Sequence, residues 1–551
     1  MDPRVAASRH PVSLHLKPQA RPLWWLPGSA ATLLILLLSL GPLVALLWQA
    51  GSLAPRTLLA DPYLRHVLGF SLGQALLSTL LSLGLAIPMA RALARRRFIG
   101  RTLLIKLFGL SLVLPVIIAI FGIVAVHGKQ GWLPQLLRSL GLDPGNYLYG
   151  LFGILLAHVF FNMPLAARLM LQSIESIPES SWRLASQLGM RSSHIFRLLE
   201  WPLIRGILPG LASLIFMLCF TSFTTVLALG GGPKSTTLEV AVYQALRFDF
   251  DLATAGGLAL VQLILTAALL ALQHKLQSTP ASRVTPRRPC LRPDRHQPGT
   301  AVVDLLSLCI GLAIFLPPLL AIVVAGLHPG LLTALTSAKL WQASGQSLLI
   351  ALAAGTLATL LGSGLLLTSR HLKVRTRQRR AAALWEASGS MILMIPAVVL
   401  STGLFILFMP FADVFALGPW LVVLVNALMA LPYVLRTLSA PMQLVVRQYD
   451  RLADSLGVRG LHRLRLVEWP LLRRPLALAM ALSMILSLGD LGAIAMFGSQ
   501  ELTTLPWLLY QQLGSYRLTE AAATALLLLT LCFSLFWLVE RGLGGKNGEQ
   551  H

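Results

Sequence analysis

Asp490, in the run Leu488-Gly489-Asp490-Leu491-Gly492, is the only carboxylate deep inside an apolar stretch long enough to span a membrane. A charge placed there is costly unless it meets a partner or water. It can therefore serve a hydrated path, or make a packing hydrogen bond between glycine-flanked helices. Ser222, Thr224 and Thr225 hold the matching region of the first half of the chain. They can line the same path or bond back to their own helix carbonyls. Groupings for catalysis are missing, since neither His-Glu-x-x-His nor Gly-x-Ser-x-Gly occurs. The run Gly230-Gly231-Gly232-Pro233-Lys234-Ser235 imitates a phosphate loop, but Pro233 stands where a glycine amide must cradle phosphate, so the segment reads as a turn. Cys219, Cys309 and Cys532 lie within apolar runs and Cys290 in a polar stretch, without the spacing of metal ligands or of a disulfide framework. No metal site is expected.

A repeated loop carries the strongest signal. Arg183-Leu184-Ala185-Ser186-Gln187-Leu188-Gly189-Met190-Arg191 returns 268 residues later as Arg451-Leu452-Ala453-Asp454-Ser455-Leu456-Gly457-Val458-Arg459. Glu200-Trp201-Pro202-Leu203 returns at the same offset as Glu468-Trp469-Pro470-Leu471. Pro164 and Arg168 likewise match Pro432 and Arg436, and Thr236-Thr237-Leu238 matches Thr503-Thr504-Leu505 at an offset of 267. Such matching marks a tandem duplication. The loops, about 168–205 and 436–473, are much longer than most other connections in the chain, and loops of that length are usually functional. Leu184, Ala185 and Leu188, with their copies Leu452, Ala453 and Leu456, give a short helix an apolar side flanked by Arg183 and Arg191, or by Arg451 and Arg459. Gly189 and Gly457 permit a sharp turn, and Pro202 and Pro470 sit where the next helix begins. A helix of two turns is unstable alone in water. It must dock, on this protein's own helix ends or in a partner's groove, and recurrence in both halves favours a partner.

The chain around these loops is built for lipid, with 56% hydrophobic and 12% charged residues and a mean hydropathy of +0.73. Apolar runs near 30–48, 67–90, 103–127, 148–167, 206–229 and 252–272 are followed by six more near 301–326, 343–368, 384–408, 415–435, 476–497 and 520–539. Without period-two alternation they must be helices, so the expected fold is an all-α integral membrane protein of about twelve spans. The run from Ala30 to Trp48 exceeds the apolar region of a cleaved signal and reads as the first span. A net charge of +24 would suit nucleic acid, but its placement points elsewhere. Of 45 Lys and Arg only eight fall in the outer loops: Arg56, Arg65, Lys129, Arg138, Lys234, Arg247, Lys339 and Arg517. That is the positive-inside pattern, with both termini cytoplasmic. The clusters Arg91 with Arg95 to Arg97 and Arg101, and Lys373 with Arg375, Arg377, Arg379 and Arg380, read as topological anchors that also meet anionic lipid. The implied order is a tail (1–29), a first repeat (30–272), a Pro- and Arg-rich linker (273–300) expected as an exposed tether, a second repeat (301–540) and a tail (541–551). Each repeat has an even number of spans, so the two run parallel and a pathway should lie between them.

At the loop residues the chain resembles the membrane subunits of ATP-binding-cassette importers. That family's signature is a cytoplasmic Glu-Ala-Ala, three residues and Gly, with a Pro further on. Here the second Ala and the Gly are Ala185 and Gly189, and Ala453 and Gly457, while Arg183 and Arg451 stand where the family commonly has Glu. The runs Leu156 to Pro164, Gln187 to Ser192, Leu229 to Pro233 and Leu505 to Arg517 are similar to those of thiamine-importer permeases of Gram-negative bacteria.

The resemblance implies two fused six-helix type I ABC importer permease units in the bacterial inner membrane. The chain itself would be non-catalytic and bind no cofactor. A cytoplasmic ABC ATPase homodimer would use ATP and Mg and receive the two loops, and a periplasmic thiamine-binding protein would deliver thiamine or its phosphates. Thiamine carries a cationic thiazolium, which gives Asp490 an electrostatic role. One alternative is a ferric-iron permease of the same fused architecture. Another is a twelve-span secondary transporter, which gives no reason for paired loops.

Overall fold

The computed structural model describes residues 25–51, 61–111, 114–276, 292–297, 299–328, 330–374, 376, 378–458 and 460–543. Most of the expected tails and linker, together with Arg375, Arg377 and Arg459, lie outside the described residues. Among those described, regular structure is helical throughout, because lipid offers backbone groups no other partner. Among the described residues eleven helices are long and apolar enough to cross a bilayer, and Arg379–Met394 with Ala397–Phe408, bent by 92°, makes twelve when that pair is counted as one span. The first half runs Leu26–Ala50, Pro62–Arg95, Arg101–Leu110 with Val116–His127, Leu151–Glu175, Trp201–Phe220 and Leu252–Leu276. The second runs Thr300–Gly326, Ala338–Val374, the bent pair, Gly418–Ser455, Trp469–Leu488 and Leu518–Leu543.

Four spans expected to be unbroken are each two helices. In the third and ninth, Pro115 and Pro396 lack an N–H and start the helices Val116–His127 and Ala397–Phe408. Ile395, which precedes Pro396, is forced into an extended conformation. In the fifth, Phe223–Leu229 follows a break at Thr221 and Ser222. In the eleventh, Gly492–Phe497 follows a break at Gly489-Asp490-Leu491, where the Asp490 carboxylate takes backbone N–H groups out of the helical ladder.

The two repeats interlock. The first span of the chain packs on Ala397–Phe408 of the second half, and Thr300–Gly326 packs on Val116–His127 of the first. Each crossing sets a proline against a glycine. A Cβ on Gly403 would lie 2.7 Å from the Pro42 carbonyl oxygen, and one on Gly122 would collide with the Pro318 oxygen. The end of the linker is equally engaged, because Arg292 and Asp294 are buried rather than exposed as the expected tether required. Their charges are taken up by partners in the first half, described below.

Replacing Gly403 with Ala should lower the melting temperature in detergent, since overpacking against rigid backbone costs about 1–3 kcal/mol. The same change at Gly69, where nothing lies within 4 Å, should hold or raise it. Equal shifts at both sites would refute the close crossing.

Candidate functional site

Both loops close on the same cap. The helix Glu179–Gln187 ends with Gly189 at φ +59°, where Met190 N–H donates to the Ala185 carbonyl and Gly189 N–H to that of Ser186. In the second copy Gly457 has φ +67°, Val458 N–H donates to Ala453 and Gly457 N–H to Asp454. This is the Schellman arrangement, whose left-handed residue is glycine because a Cβ would be strained there. The caps aim the side chains alike. Ala185 and Ala453 turn inward, 1% and 3% exposed, while Leu184 and Leu188 are 55% and 62% exposed and Leu452 and Leu456 55% and 68%. The apolar side expected to hold all three residues is therefore split, with Ala inside and the leucines presented to solvent. Arg183, Arg191 and Arg451 are exposed beside them, and Arg183 pairs with Glu179 at 2.7 Å.

The copies differ in one respect. Pro178 separates the first loop helix from the span before it, whereas the second copy, with Val446 at the matching position, is the end of the continuous 38-residue helix Gly418–Ser455. The expected short helix holds only in the first half.

Beneath each loop lies a buried glutamate. Pro202 and Pro470 sit in the first turn of the following helix and have no N–H for the carbonyl four residues back. The chain before them closes instead as a π-helical turn, Phe196–Glu200 and Leu464–Glu468, with Trp201 N–H reaching Phe196 and Trp469 N–H reaching Leu464. Each turn ends on a buried carboxylate. Glu200 pairs with Arg91 at 2.6 Å and with Arg292, and Glu468 pairs with Arg370 at 2.8 Å and Arg463 at 3.1 Å. The basic clusters expected as topological anchors also have internal partners: Arg95 and Arg96 pair with Asp304, Arg101 with Glu175 and Lys373 with Glu386. Arg95 also bonds Asp294. Burial pushes the Asp294 carboxyl up, but the hydrogen bond and charge of Arg292, with Arg95 and Ser192, hold it below the usual carboxylate range. A carboxylate held low stabilises its contacts above the ordinary titration range, and that contribution is lost as pH falls through the lowered value.

The four breaks converge between the halves. A Cβ on Gly489 would lie 3.1 Å from Pro115, and one on Gly492 3.9 Å from Ala397 and 4.0 Å from the Phe223 ring. Asp490 is at this meeting point. Its oxygens accept from Gly492 N–H at 3.2 Å and Ala493 N–H at 3.0 Å, so its bonds go to backbone at its own break rather than to another helix. Ser222 occupies the equivalent place, donating to the Cys219 carbonyl at 2.8 Å and lying 2.8 Å from His158, which in turn bonds Ser78. Thr224 is partly exposed and Thr225 buried on the short helix that follows. In the second half Asn426 and Ser487, bonded at 2.9 Å, stand where the first has His158 and Cys219. Glu239, outside the apolar runs on Leu238–Arg247, is buried against Gln262 and receives the Phe223 N–H. Sequence reasoning missed His158, Asn426 and Glu239, and quoted Glu200 and Glu468 without a role. The recurrence of those two glutamates at the loop offset, in a chain with few acids, was the available signal. Among the described residues no group of three or more His, Cys, Asp or Glu side chains is placed to hold a metal ion.

The helical body with its twin loops has the form of a membrane permease, and residues 363–541 match the family model described as binding-protein-dependent transport system inner membrane component. The chain is 47% identical to the thiamine transport system permease protein ThiP of Escherichia coli, over 96% of this chain and 98% of that one. It is 47% identical to the protein of that name from Salmonella typhimurium, over 96% and 98%, and 42% identical to that from Haemophilus influenzae, over 95% and 97%. The chain belongs to the family of these thiamine transport system permease proteins.

Replacing Glu468 with Ala takes from Arg370 the carboxylate it pairs with and leaves Arg463 to Asp450 and Asp454, so a buried guanidinium loses its counter-charge, which should cost about 3–5 kcal/mol. The melting temperature in detergent should fall accordingly, while Lys339→Ala, on an exposed side chain, should leave it unchanged. A parental melting temperature in the Glu468 variant would show that the pair is not needed for stability.

Proposed function

We propose that this chain is the membrane-spanning permease of an ATP-driven importer that carries thiamine and its phosphates inward. The observation that carries the reading is the pair of identically capped loops in a chain similar along nearly its whole length to thiamine transport permeases. ATP hydrolysis belongs to separate subunits. An ATPase homodimer offers two equivalent grooves, and the exposed pairs Leu184 with Leu188 and Leu452 with Leu456 are two equivalent apolar faces to fill them. Both loops and both termini then face the cytoplasm, and a binding protein delivers its load at the opposite mouth.

The contacts supply a route for movement. A shift of the first loop acts through Glu200 on the end of Pro62–Arg95 and on the start of Trp201–Phe220. A 20-residue helix spans about 30 Å, so the shift reaches the break at Ser222. The second loop acts through Glu468 and Trp469–Leu488 on the break at Asp490. Displacing the breaks opens or closes the passage between halves, and Asp490 meets the thiazolium there.

The test is ATP-dependent uptake in proteoliposomes containing the chain, its ATPase and its binding protein. Thiamine should accumulate and ferric iron should not, and the converse would replace the substrate assignment. With both Gly189 and Gly457 changed to Val, at a φ that β-branched residues rarely adopt, uptake should be lost and the ATPase should dissociate more readily from an intact membrane body. Parental transport by the double variant would end the docking role.

Asp490→Asn keeps the shape and one acceptor but removes the charge. If the carboxylate meets the cation, initial uptake per folded transporter should slow by the equivalent of about 1–3 kcal/mol, with basal ATPase activity unchanged. A parental rate would remove Asp490 from the pathway and leave it the capping role alone.

A further inference from the structure

The two loops are braced differently at the same place. In the second, Arg463 sits between the base of the loop and its helix, bonding Glu468 at 3.1 Å and Asp450 at 2.5 Å. At the 268-residue offset these three positions become Ile195, Glu200 and Trp182 in the first loop. The carboxylate is kept, the arginine is replaced by a buried isoleucine, and the residue on the helix is now a tryptophan 6% exposed. An unbraced Glu200 would have Arg91 alone.

The missing cation arrives from the linker. Arg292 pairs with Glu200 and lies over the Trp182 ring at 4.6 Å, so it touches the same two repeat positions that Arg463 touches in the other half. Its planar guanidinium suits both a carboxylate and an aromatic face. Asp294 holds it by two bonds, at 3.1 and 3.0 Å, and also takes Arg95. Gln297 completes the grip on the turn after Gly189, accepting from Ser192 N–H at 2.6 Å and donating to the Met190 carbonyl at 2.9 Å. Thr300–Gly326 begins three residues later. Loop one is thus fastened to the entrance of the second half.

We infer that Arg292 is a positioning residue for the first docking loop, supplied by the linker in place of the arginine that the second loop carries itself at Arg463. The inference rests on the docking reading. It assigns the segment Arg292 to Gln297 a task beyond tethering: it sets the pose of Leu184 and Leu188, and it makes the loops mechanically unequal. The first is tied to the junction of the halves, while the second is braced from within.

The experiment is rescue by transplanting the arginine. In proteoliposomes with the ATPase and binding protein, Arg292→Ala should lower thiamine taken up per ATP hydrolysed by about fivefold or more. Adding Ile195→Arg, which puts an arginine where the second loop has one, should restore most of the lost coupling. Parental coupling in Arg292→Ala overturns the inference, as does a stable Arg292→Ala chain whose coupling Ile195→Arg does not improve. Should Arg292→Ala fail to assemble, Arg292→Lys keeps the charge beside Glu200 but gives up the planar contact with Trp182 and should still lose coupling; parental coupling there overturns it too. The Gly189 and Gly457 double variant separates the two claims. If it transports normally, docking itself is wrong, and if it does not while Arg292→Ala does, only the role of Arg292 is.

Discussion

A glutamate buried at the base of each loop is the contact on which the remaining architecture depends. Glu200 and Glu468 are almost without solvent, and an isolated buried carboxylate is expensive enough that partners must be built around it. One partner of each lies at the end of Pro62–Arg95 or Ala338–Val374, and the glutamates themselves open the helices Trp201–Phe220 and Trp469–Leu488. Loop, second span and fifth span of each half therefore share one ionic joint. The π turn in front of it follows from Pro202 and Pro470, so the same prolines that start the helix also shape the joint.

The second constraint is the interior of the bilayer, which forbids unsatisfied backbone unless protein or water covers it. All four breaks meet this condition by meeting one another. Pro115, Pro396, Ser222 and Asp490 mark places where the ladder is interrupted, and they are gathered between the halves rather than turned to lipid. The interlocking first spans support that gathering, because Pro42 against Gly403 and Pro318 against Gly122 hold each half close to the other. The two sequence repeats are consequently not two blocks in space.

Span number and the doubled loop were legible because hydropathy and a fixed offset are local signals. The breaks were not, because proline alone does not identify them. Pro42, Pro164, Pro209 and Pro432 lie inside continuous helices, whereas Pro115 and Pro396 stand at breaks and cap the start of the next helix. The difference lies in tertiary surroundings. The internal partners of the basic clusters were hidden for a related reason: charge placement along the chain suggests which side an arginine occupies, but not that Arg91 meets a carboxylate 109 residues away. Linker composition suggested solvent throughout, yet six residues at its end carry an Arg and an Asp that complete a buried site. Asp490 was found because it interrupts an apolar run, and Glu239 escaped because it does not.

The distribution of likeness between the repeats carries its own argument. From residue 183 to 190 and from 451 to 458 the sequence of exposed and buried positions is the same, and both caps use the same bonds. Inside, the copies diverge: His158 faces Asn426 in the alignment, Cys219 faces Ser487, and Ser222 faces Asp490. On the proposed reading the partner is made of two equal subunits and needs two equal faces, which accounts for outward loops that are held alike. A small solute such as thiamine has no twofold axis, so nothing requires the two walls of its path to match. If Asp490 meets the cation as proposed, one wall suffices, since a second carboxylate would add the desolvation of another charge without a second cation to meet it. The brace beneath the loops lies between these limits. On the inferred reading it delivers the same pose on both sides, with an arginine that comes from the loop in one half and from the linker in the other.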